Sequence, residues 1–229
     1  MIRAFLFDKD ATLLDFEKTW GAWSRAFLED LAVGDDALLA RLASVVGFHL
    51  ERMGFANDSP VIAGTPEDSV ELLLPLLPEW SFDDLLSHSN AMAREVKVHP
   101  IAPLSTVLEA LSAKVRLGIA TNDSAEAARR HMMSLDVAHL FDAILGSDSG
   151  FGGKPGPGMC LAFAKQLGIE PAEVAMVGDS AHDMEAGRRA GMVCIGVASG
   201  FATAQELDSI ADHVLPDVTH LPGWLEAYE

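Results

Sequence analysis

Apolar residues along this chain follow two spacing patterns, and each pattern predicts a different secondary-structure element. Short uninterrupted apolar runs are typical of strands buried on both faces of a parallel sheet. Apolar residues three or four positions apart are typical of helices that pack on one face. The two patterns alternate in the second half, which predicts an α/β fold with a parallel sheet and right-handed crossovers. The predicted strands are residues 2–7, 115–120, 143–145, 174–177, 193–197 and 213–215.

The first half departs from this alternation after a single strand. From residue 15 to about residue 97 the apolar positions keep helical spacing, as in the series Phe16, Trp20, Trp23, Phe27 and Leu31. Capping residues mark two further helix starts, at 65–68 and 81–84. We therefore expect about four helices and no strand here. The predicted organisation is a core domain of residues 1–14 and 99–229 and an inserted all-helical cap of residues 15–98.

Polar residues follow three of the predicted strands, and one lysine lies in a loop rich in glycine and proline between two of them. Parallel strands present their carboxyl ends at one edge of the sheet, so these side chains are expected to converge there. Neighbouring carboxylates repel each other and need a cation, a shared proton or the charge partner of a phosphate group. The residues are Asp8, Asp10, Thr121, Asn122, Lys154, Asp179 and Asp183.

The net charge of the chain limits the kinds of molecule that it is expected to bind. Lys and Arg number 16 and Asp and Glu number 34, so the formal net charge is −18. This charge disfavours binding to nucleic acid and to anionic membrane surfaces, and an anionic substrate needs a local positive group or a metal ion. Cys160 and Cys194 stand in apolar surroundings, which suits a reducing compartment. With no predicted signal peptide or membrane span, we expect a cytoplasmic protein.

In this order the motifs resemble those of the haloacid dehalogenase-like (HAD) superfamily. They are D-x-D-x-T at 8–12, a threonine after the second strand, K-P-x-P at 154–157 and G-D-x-x-x-D at 178–183. The chain is most similar to the phosphoglycolate phosphatase and β-phosphoglucomutase group. The resemblance implies a Rossmann-like core flanked by helices with a helical cap. It also implies a Mg²⁺-dependent phosphatase that acts on a small phosphorylated metabolite, as a monomer or homodimer.

The resemblance also implies roles for individual residues. Asp8 would attack phosphorus and form an aspartyl phosphate. Asp10 would give a proton to the leaving group and later accept one from water. Lys154 would neutralise Asp8 and the phosphoryl group, while the Thr121 hydroxyl and the backbone N–H of Asn122 would bind phosphate oxygens.

The implied metal site uses few protein oxygens, as Mg²⁺ prefers. The ligands would be the carboxylates of Asp8 and Asp179 and the backbone carbonyl of Asp10. Asp183 would lie behind them, orienting Lys154 or a metal-bound water. Thr12 is expected to brace the loop.

Two positions depart from the family pattern. Ala11 stands where glycine is usual, which constrains the backbone next to Asp10. Lys9 stands where an apolar residue is usual. It could point away as a surface side chain, but we expect it to add positive charge at the mouth of the pocket.

Other readings of the same residues stay open at this point. A phosphosugar mutase would use the same residues and return the phosphoryl group to its substrate. A receiver-like signalling module also has an acidic Mg²⁺ site with Asp, Thr and Lys, although receivers lack a cap. A dehalogenase is disfavoured because halide departure needs no acid such as Asp10, and a binding or scaffold protein is suggested only by Ala11. Substrate selection is expected from the cap, whose cationic candidates are Arg25, Arg41, Arg52, Arg94, His49 and His88.

Overall fold

A parallel sheet of six strands forms the centre of the fold in the computed structural model, which describes residues 1–228. The strand order is β5-β4-β1-β6-β7-β8, and every neighbouring pair is parallel. The predicted parallel α/β core is therefore confirmed. The strands are β1 (Ala4–Phe7), β4 (Arg116–Ala120), β5 (Ala143–Leu145), β6 (Val174–Gly178), β7 (Val193–Val197) and β8 (His213–Leu215), with a separate short pair β2 (Phe48–His49) and β3 (Gly54–Phe55).

Alternate residues of each central strand face two different helical layers. Phe5 and Phe7 of β1 join one buried cluster, and Ala4 and Leu6 join the other. Because both faces are covered, these strands read as continuous apolar runs rather than as alternating ones.

Eleven helices occur in the described part of the chain, and most begin at a side-chain cap. For example, Thr65 and Asp68 form a reciprocal capping box, and Ser124 caps the helix after β4. The helices are α1 (Phe16–Ala32), α2 (Asp36–Val45), α3 (Pro60–Ala63), α4 (Pro66–Leu73), α5 (Phe82–Ala93), α6 (Leu104–Ser112), α7 (Ala125–Ser134), α8 (Gly158–Leu167), α9 (Ala181–Ala190), α10 (Ala204–Asp208) and α11 (Leu221–Tyr228). No helix within residues 1–228 has both the length and the apolar character needed to cross a bilayer.

The inserted segment between β1 and β4 has its own apolar cluster, built largely from α1, α2, α4 and α5. It also contains the antiparallel pair β2–β3, although helical spacing predicted no strand there. Apolar positions keep helical spacing through Leu42, Val45, His49 and Met53, which predicts a second helix up to Met53. It stops at Val45 because Gly47 takes a left-handed conformation at φ +64°, and Met53 itself lies at φ +50°.

The chain passes between the sheet and the inserted segment twice, and the two passages lie side by side. Leu14 forms a bridge with Pro100, and the Asp15 N–H donates to the His99 carbonyl at 2.7 Å. The predicted boundaries at residues 14/15 and 98/99 fall at this crossing, and the division into core and cap domains stays a prediction.

Candidate active site

Three neighbouring strands end at the same edge of the sheet. β1 lies between β4 and β6, with Phe7 paired to Ile119 on one side and to Val177 on the other. Asp8, Thr121 and Asp179 follow these strands directly or by one residue and are all buried. The register of the sheet thus brings together residues separated by more than a hundred positions in sequence.

Lys154 reaches this edge from the loop before α8. Its ammonium group donates to Asp8 Oδ1 at 2.5 Å and to Asp183 Oδ1 at 2.6 Å. The lysine side chain is only 5% exposed, so solvent screens these two ion pairs weakly. The structure therefore places one cation between two of the predicted site carboxylates.

Asp183 is fixed by the start of α9. Its Oδ2 accepts from the Ser180 hydroxyl at 2.6 Å and from the Ser180 N–H at 3.1 Å, while Oδ1 stays with Lys154. The carboxylate packs directly against Gly178, where an added Cβ would lie 2.3 Å from Asp183 Cγ. The glycine of the G-D-x-x-x-D motif is thus needed for space.

The buried acidic groups are more numerous than the cations that neutralise them. Oxygens of Asp8, Asp179 and Asp183 all lie within 4.8 Å of one another. Burial, together with the nearby charge of Asp183, raises the pKa of Asp8 to about 7 against the opposing effect of Lys154. Burial and the charges of Asp183 and Asp8 raise the pKa of Asp179 well above its usual range. Burial lowers the pKa of Lys154, but Asp183 and Asp8 outweigh that effect and raise it.

This donor set fits a hard divalent cation. Carboxylate oxygens are the ligands that Mg²⁺ prefers, and clustered carboxylates facing one ammonium group leave negative charge for a cation to balance. The Asp10 carboxylate contacts Lys9 and Trp20 instead, so any contribution of Asp10 to a metal site comes from its backbone carbonyl.

Two contacts fix the position of the Asp179 carboxylate. The buried Thr12 hydroxyl donates to Asp179 Oδ1 at 3.1 Å, a contact that goes beyond the loop-bracing role expected from the sequence. Gly200 packs against the same carboxylate, since an added Cβ there would lie 1.9 Å from Asp179 Oδ2. The D-x-D-x-T motif could have identified Thr12 as a site residue, because it places residues 8, 10 and 12 in the same loop.

Asn122 connects three segments through its side chain. Its amide nitrogen donates to the Lys154 carbonyl at 3.0 Å and to the Ala63 carbonyl at 2.8 Å, while its oxygen accepts from the Lys154 N–H at 2.7 Å. The sequence suggested only its backbone N–H as a functional group. Thr121 is buried beside it, and its hydroxyl accepts from the Asp123 N–H at 3.1 Å.

The sequence pattern of haloacid dehalogenase-like hydrolases matches residues 5–197, which include every site residue described above except Gly200. This chain belongs to the haloacid dehalogenase-like hydrolase family.

Relatives within the family include proteins named phosphatases. Phosphoglycolate phosphatase of Escherichia coli (strain K12) is 32% identical over 106 residues, 46% of this chain and 42% of that protein. Phosphoglycolate phosphatase of Aquifex aeolicus (strain VF5) is 28% identical over 191 residues, 83% of this chain and 82% of that protein. The chain spans less than half the length of the first curated relatives that it matches.

The fold is shared more widely than the chemistry. The crystal structure of 2-haloacid dehalogenase from Pseudomonas syringae pv. Tomato DC3000 superposes with a TM-score of 0.70 at 21% identity, covering 100% of both chains. At that identity the likeness shows the fold alone, and function must be argued from the site.

Lys9, one of the two departures from the family pattern, does not lie at the pocket mouth, so that prediction was wrong. Its side chain is 0% exposed, and its ammonium group lies 2.8 Å from Asp10 Oδ2 and 2.8 Å from Asp123 Oδ2. The two carboxylates draw it inward because a buried ammonium needs close anionic partners. Asp123 follows the second strand by three residues, and this position at the sheet edge was the signal that could have identified it.

Ala11, the other departure, adopts a left-handed backbone at φ +63°. Glycine takes this conformation without a steric cost, whereas alanine does not. The family's usual glycine is explained by this turn, and the chain keeps the turn with alanine in place.

A cavity opens between the acidic cluster and the inserted segment that separates β1 from β4. Asp8, Asp10, Thr121, Lys154 and Asp179 line its core side. Trp20 lines it from α1 and donates its indole N–H to Asp10 Oδ1 at 2.7 Å. The cavity therefore gives a small molecule access to the residues that the sequence singled out.

Proposed function

We propose that this chain is a Mg²⁺-dependent phosphatase that hydrolyses a small phosphomonoester through an aspartyl-phosphate intermediate on Asp8. The observation that carries the proposal is the geometry around Lys154, whose ammonium group touches Asp8 and Asp183 at the edge of a cavity. Relatives that are named phosphatases support the same reaction class.

In the first step the Asp8 carboxylate forms a bond to phosphorus as the bond to the leaving oxygen breaks. Asp10, which lines the cavity, supplies a proton to the departing alkoxide. Lys154 offsets the charge on Asp8 and on the phosphoryl oxygens, and Thr121 and the backbone N–H of Asn122 donate to those oxygens. Together these groups stabilise the transition state electrostatically.

In the second step water attacks phosphorus, Asp10 accepts its proton, and inorganic phosphate leaves with Asp8 restored. Asp8 and Asp179, with the Asp10 carbonyl, would hold the Mg²⁺ ion, and Asp183 would orient Lys154. When bound, Mg²⁺ supplies charge neutralisation for the phosphoryl oxygens. The raised pKa of Asp8 supports this role for a cation, because Asp8 must be ionised to attack phosphorus.

The direct test is phosphate release from p-nitrophenyl phosphate by the purified protein, with and without Mg²⁺. We expect Mg²⁺-dependent release that falls to the rate without enzyme in Asp8→Asn. Asp58→Asn is the matched control, because Asp58 is exposed and carries the same change of charge. Equal turnover by Asp8→Asn and the original chain would remove Asp8 as the nucleophile.

Product analysis with a phosphosugar separates hydrolysis from the alternatives. A mutase would give an isomerised phosphate ester instead of inorganic phosphate. A receiver-like module would become phosphorylated without turning over small esters. We favour hydrolysis over a mutase because relatives of this chain are named phosphatases, and over a receiver because a cavity lies next to Asp8.

A further inference from the structure

The wall of the cavity opposite the acidic cluster is largely apolar. Trp23 stacks on Phe27, with ring centroids 5.0 Å apart, and meets Trp20 edge to face at 5.2 Å. Side chains from three segments of the cap complete this wall: Trp20, Trp23, Phe27, Phe55, Val61 and Ile62. A leaving group that fills this space therefore exchanges water for hydrocarbon and aromatic surface.

Cationic side chains are scarce in this cavity. Among the described residues that line it, Lys154 is the one lysine or arginine, and it is engaged by Asp8 and Asp183. The cap arginines that could have faced a second anion bond elsewhere: Arg25 donates to the Leu50 carbonyl at 2.8 Å, and Arg52 donates to the Phe55 carbonyl. Apart from the imidazole of His182, the described lining therefore offers a carboxylate on the leaving group no further cationic partner, and desolvating the carboxylate there is costly.

Three residues of the described lining each have a buried polar atom without a hydrogen-bond partner in the protein. These atoms are the indole nitrogen of Trp23, the side-chain oxygen of Asn90 and Nδ1 of His182. Each has almost no accessible surface, so the surface that the lining offers to a leaving group stays mainly apolar.

From these observations we propose that the substrate is the phosphate ester of an uncharged, mostly apolar alcohol. This inference rests on the proposed phosphatase function and narrows its substrate class. It places a short anionic ester such as phosphoglycolate, and a sugar phosphate with many hydroxyls, among the poor substrates.

The test compares phosphate release from four esters at equal Mg²⁺: phosphoglycolate, ribose 5-phosphate, 2-phenylethyl phosphate and 2-(4-hydroxyphenyl)ethyl phosphate. We expect kcat/KM for the two aromatic esters to exceed that for phosphoglycolate by about tenfold or more, from burial of the ring. A preference for phosphoglycolate or ribose 5-phosphate would overturn the inference and leave the phosphatase proposal intact. Absence of Asp8-dependent release from every ester would overturn both.

A second inference comes from an independent cluster formed by Lys9, Asp10, Asp123, His131 and Trp20. Besides its two carboxylate partners, the Lys9 ammonium lies 3.1 Å from His131 Nδ1 and 5.1 Å from the centre of a Trp20 ring. His131 Nε2 lies 2.8 Å from the Ala93 carbonyl at the end of α5. This pairing assigns the proton to Nε2, so that Nδ1 accepts from Lys9.

Asp10 is thus held at both oxygens. Oδ2 pairs with Lys9 and Oδ1 accepts from Trp20. Since Trp20 belongs to α1 and Ala93 ends α5, both ends of this cluster reach the cap. Lys9 does not line the cavity and cannot touch a substrate there.

We infer that Lys9 is a positioning residue, which fixes the orientation of the Asp10 carboxyl at the edge of the cavity. Poor leaving groups depend on a proton from Asp10, whereas p-nitrophenolate leaves readily without one. Lys9→Met should therefore lower kcat for an alkyl phosphate by about tenfold or more, and kcat for p-nitrophenyl phosphate much less.

The ratio of the two rates is the readout, because damage to the fold would lower both rates together. Lys9→Met/Asp123→Asn removes the charge and its partner at once, and it serves if the single variant does not fold. Equal losses on both esters, or no loss on either, would overturn the positioning role.

Discussion

Two lysines are buried in this molecule, and each lies between two aspartates. Lys154 contacts Asp8 and Asp183 at 2.5 and 2.6 Å, and Lys9 lies 2.8 Å from an oxygen of each of its two partners. Their surroundings differ. Lys154 borders the cavity beside three clustered carboxylates, whereas Lys9 lies behind Asp10 against an indole ring and an imidazole.

The comparison shows that the same ion-pair chemistry supports two different tasks. At Lys154 the nearby carboxylates outnumber the ammonium groups, so the site can accept a metal ion and a phosphoryl group. At Lys9 the ammonium is enclosed by Asp10, Asp123, His131 and Trp20, so the group has no room for a ligand and can only hold its neighbours. Exposure to the cavity, rather than burial or charge, separates the two.

The largest effect is expected at Lys154. Lys154→Met removes the cation that faces the phosphoryl oxygens, and kcat/KM should fall by about 10²–10³-fold. The loss should be similar for good and poor leaving groups, because Lys154 stabilises charge and does not transfer the proton. A loss confined to poor leaving groups would show that Lys154 acts as Lys9 does, and it would contradict the distinction between the two lysines.

Lys9 should instead show its main effect on stability. Lys9→Met leaves the carboxylates of Asp10 and Asp123, whose side chains are only 15% and 8% exposed, without their ammonium, so the free energy of unfolding should fall by about 3 kcal/mol. Urea denaturation of the original chain and the variant measures this. Lys18→Met is the matched control, because Lys18 is exposed and its one ion pair should contribute little. An unchanged midpoint in Lys9→Met would contradict the enclosed ion pairs.

A substitution at Thr12 tests the acidic cluster without changing Lys154. Thr12→Val keeps the shape and removes the hydroxyl that holds Asp179, so the Mg²⁺ concentration giving half-maximal activity should rise about tenfold. Thr19→Val removes a buried hydroxyl that bonds the His99 N–H instead, and it should leave the Mg²⁺ requirement unchanged. Equal changes in the Mg²⁺ requirement of the two variants would show that Thr12 does not support the metal site.

The smallest effect concerns pH. Burial raises the pKa of Asp8 from 3.8 to about 7, so the metal-free fold retains a proton that the unfolded chain releases. Asp8 therefore contributes stability that is complete below pH 3.8 and is lost as pH rises through about 7. Mg²⁺ needs the carboxylate form, so it should raise Tm by about 3 °C more at pH 8 than at pH 6. A larger rise at pH 6 would contradict this sign.

Much of the fold could be predicted because local rules and tertiary structure agree. The strand at residues 143–145 and the helix start at 65–68 occur where the pattern predicted them. Asp8 and Asp179 could be placed together because strand ends share an edge in a parallel sheet. The β2–β3 pair could not be predicted, since it depends on the left-handed turn at Gly47 rather than on apolar spacing.

The contacts behind the site were harder to predict. Lys9 and Asp123 are 114 residues apart, and an acidic chain offers a lysine many possible partners. The indole N–H of Trp20 reaches Asp10 because α1 leaves the loop at one particular angle, which apolar spacing does not specify. The sequence thus predicts which residues end the strands, while the three-dimensional packing decides what holds them.

The most direct test is to locate the phosphoryl group on the enzyme during turnover. Acid quenching in the first turnovers, followed by borohydride reduction, converts an aspartyl phosphate into homoserine, which peptide mass spectrometry can place. We expect homoserine at position 8, and none there when substrate is omitted. Turnover with an unmodified Asp8, or with the label at Asp10 or Asp179, would contradict the account.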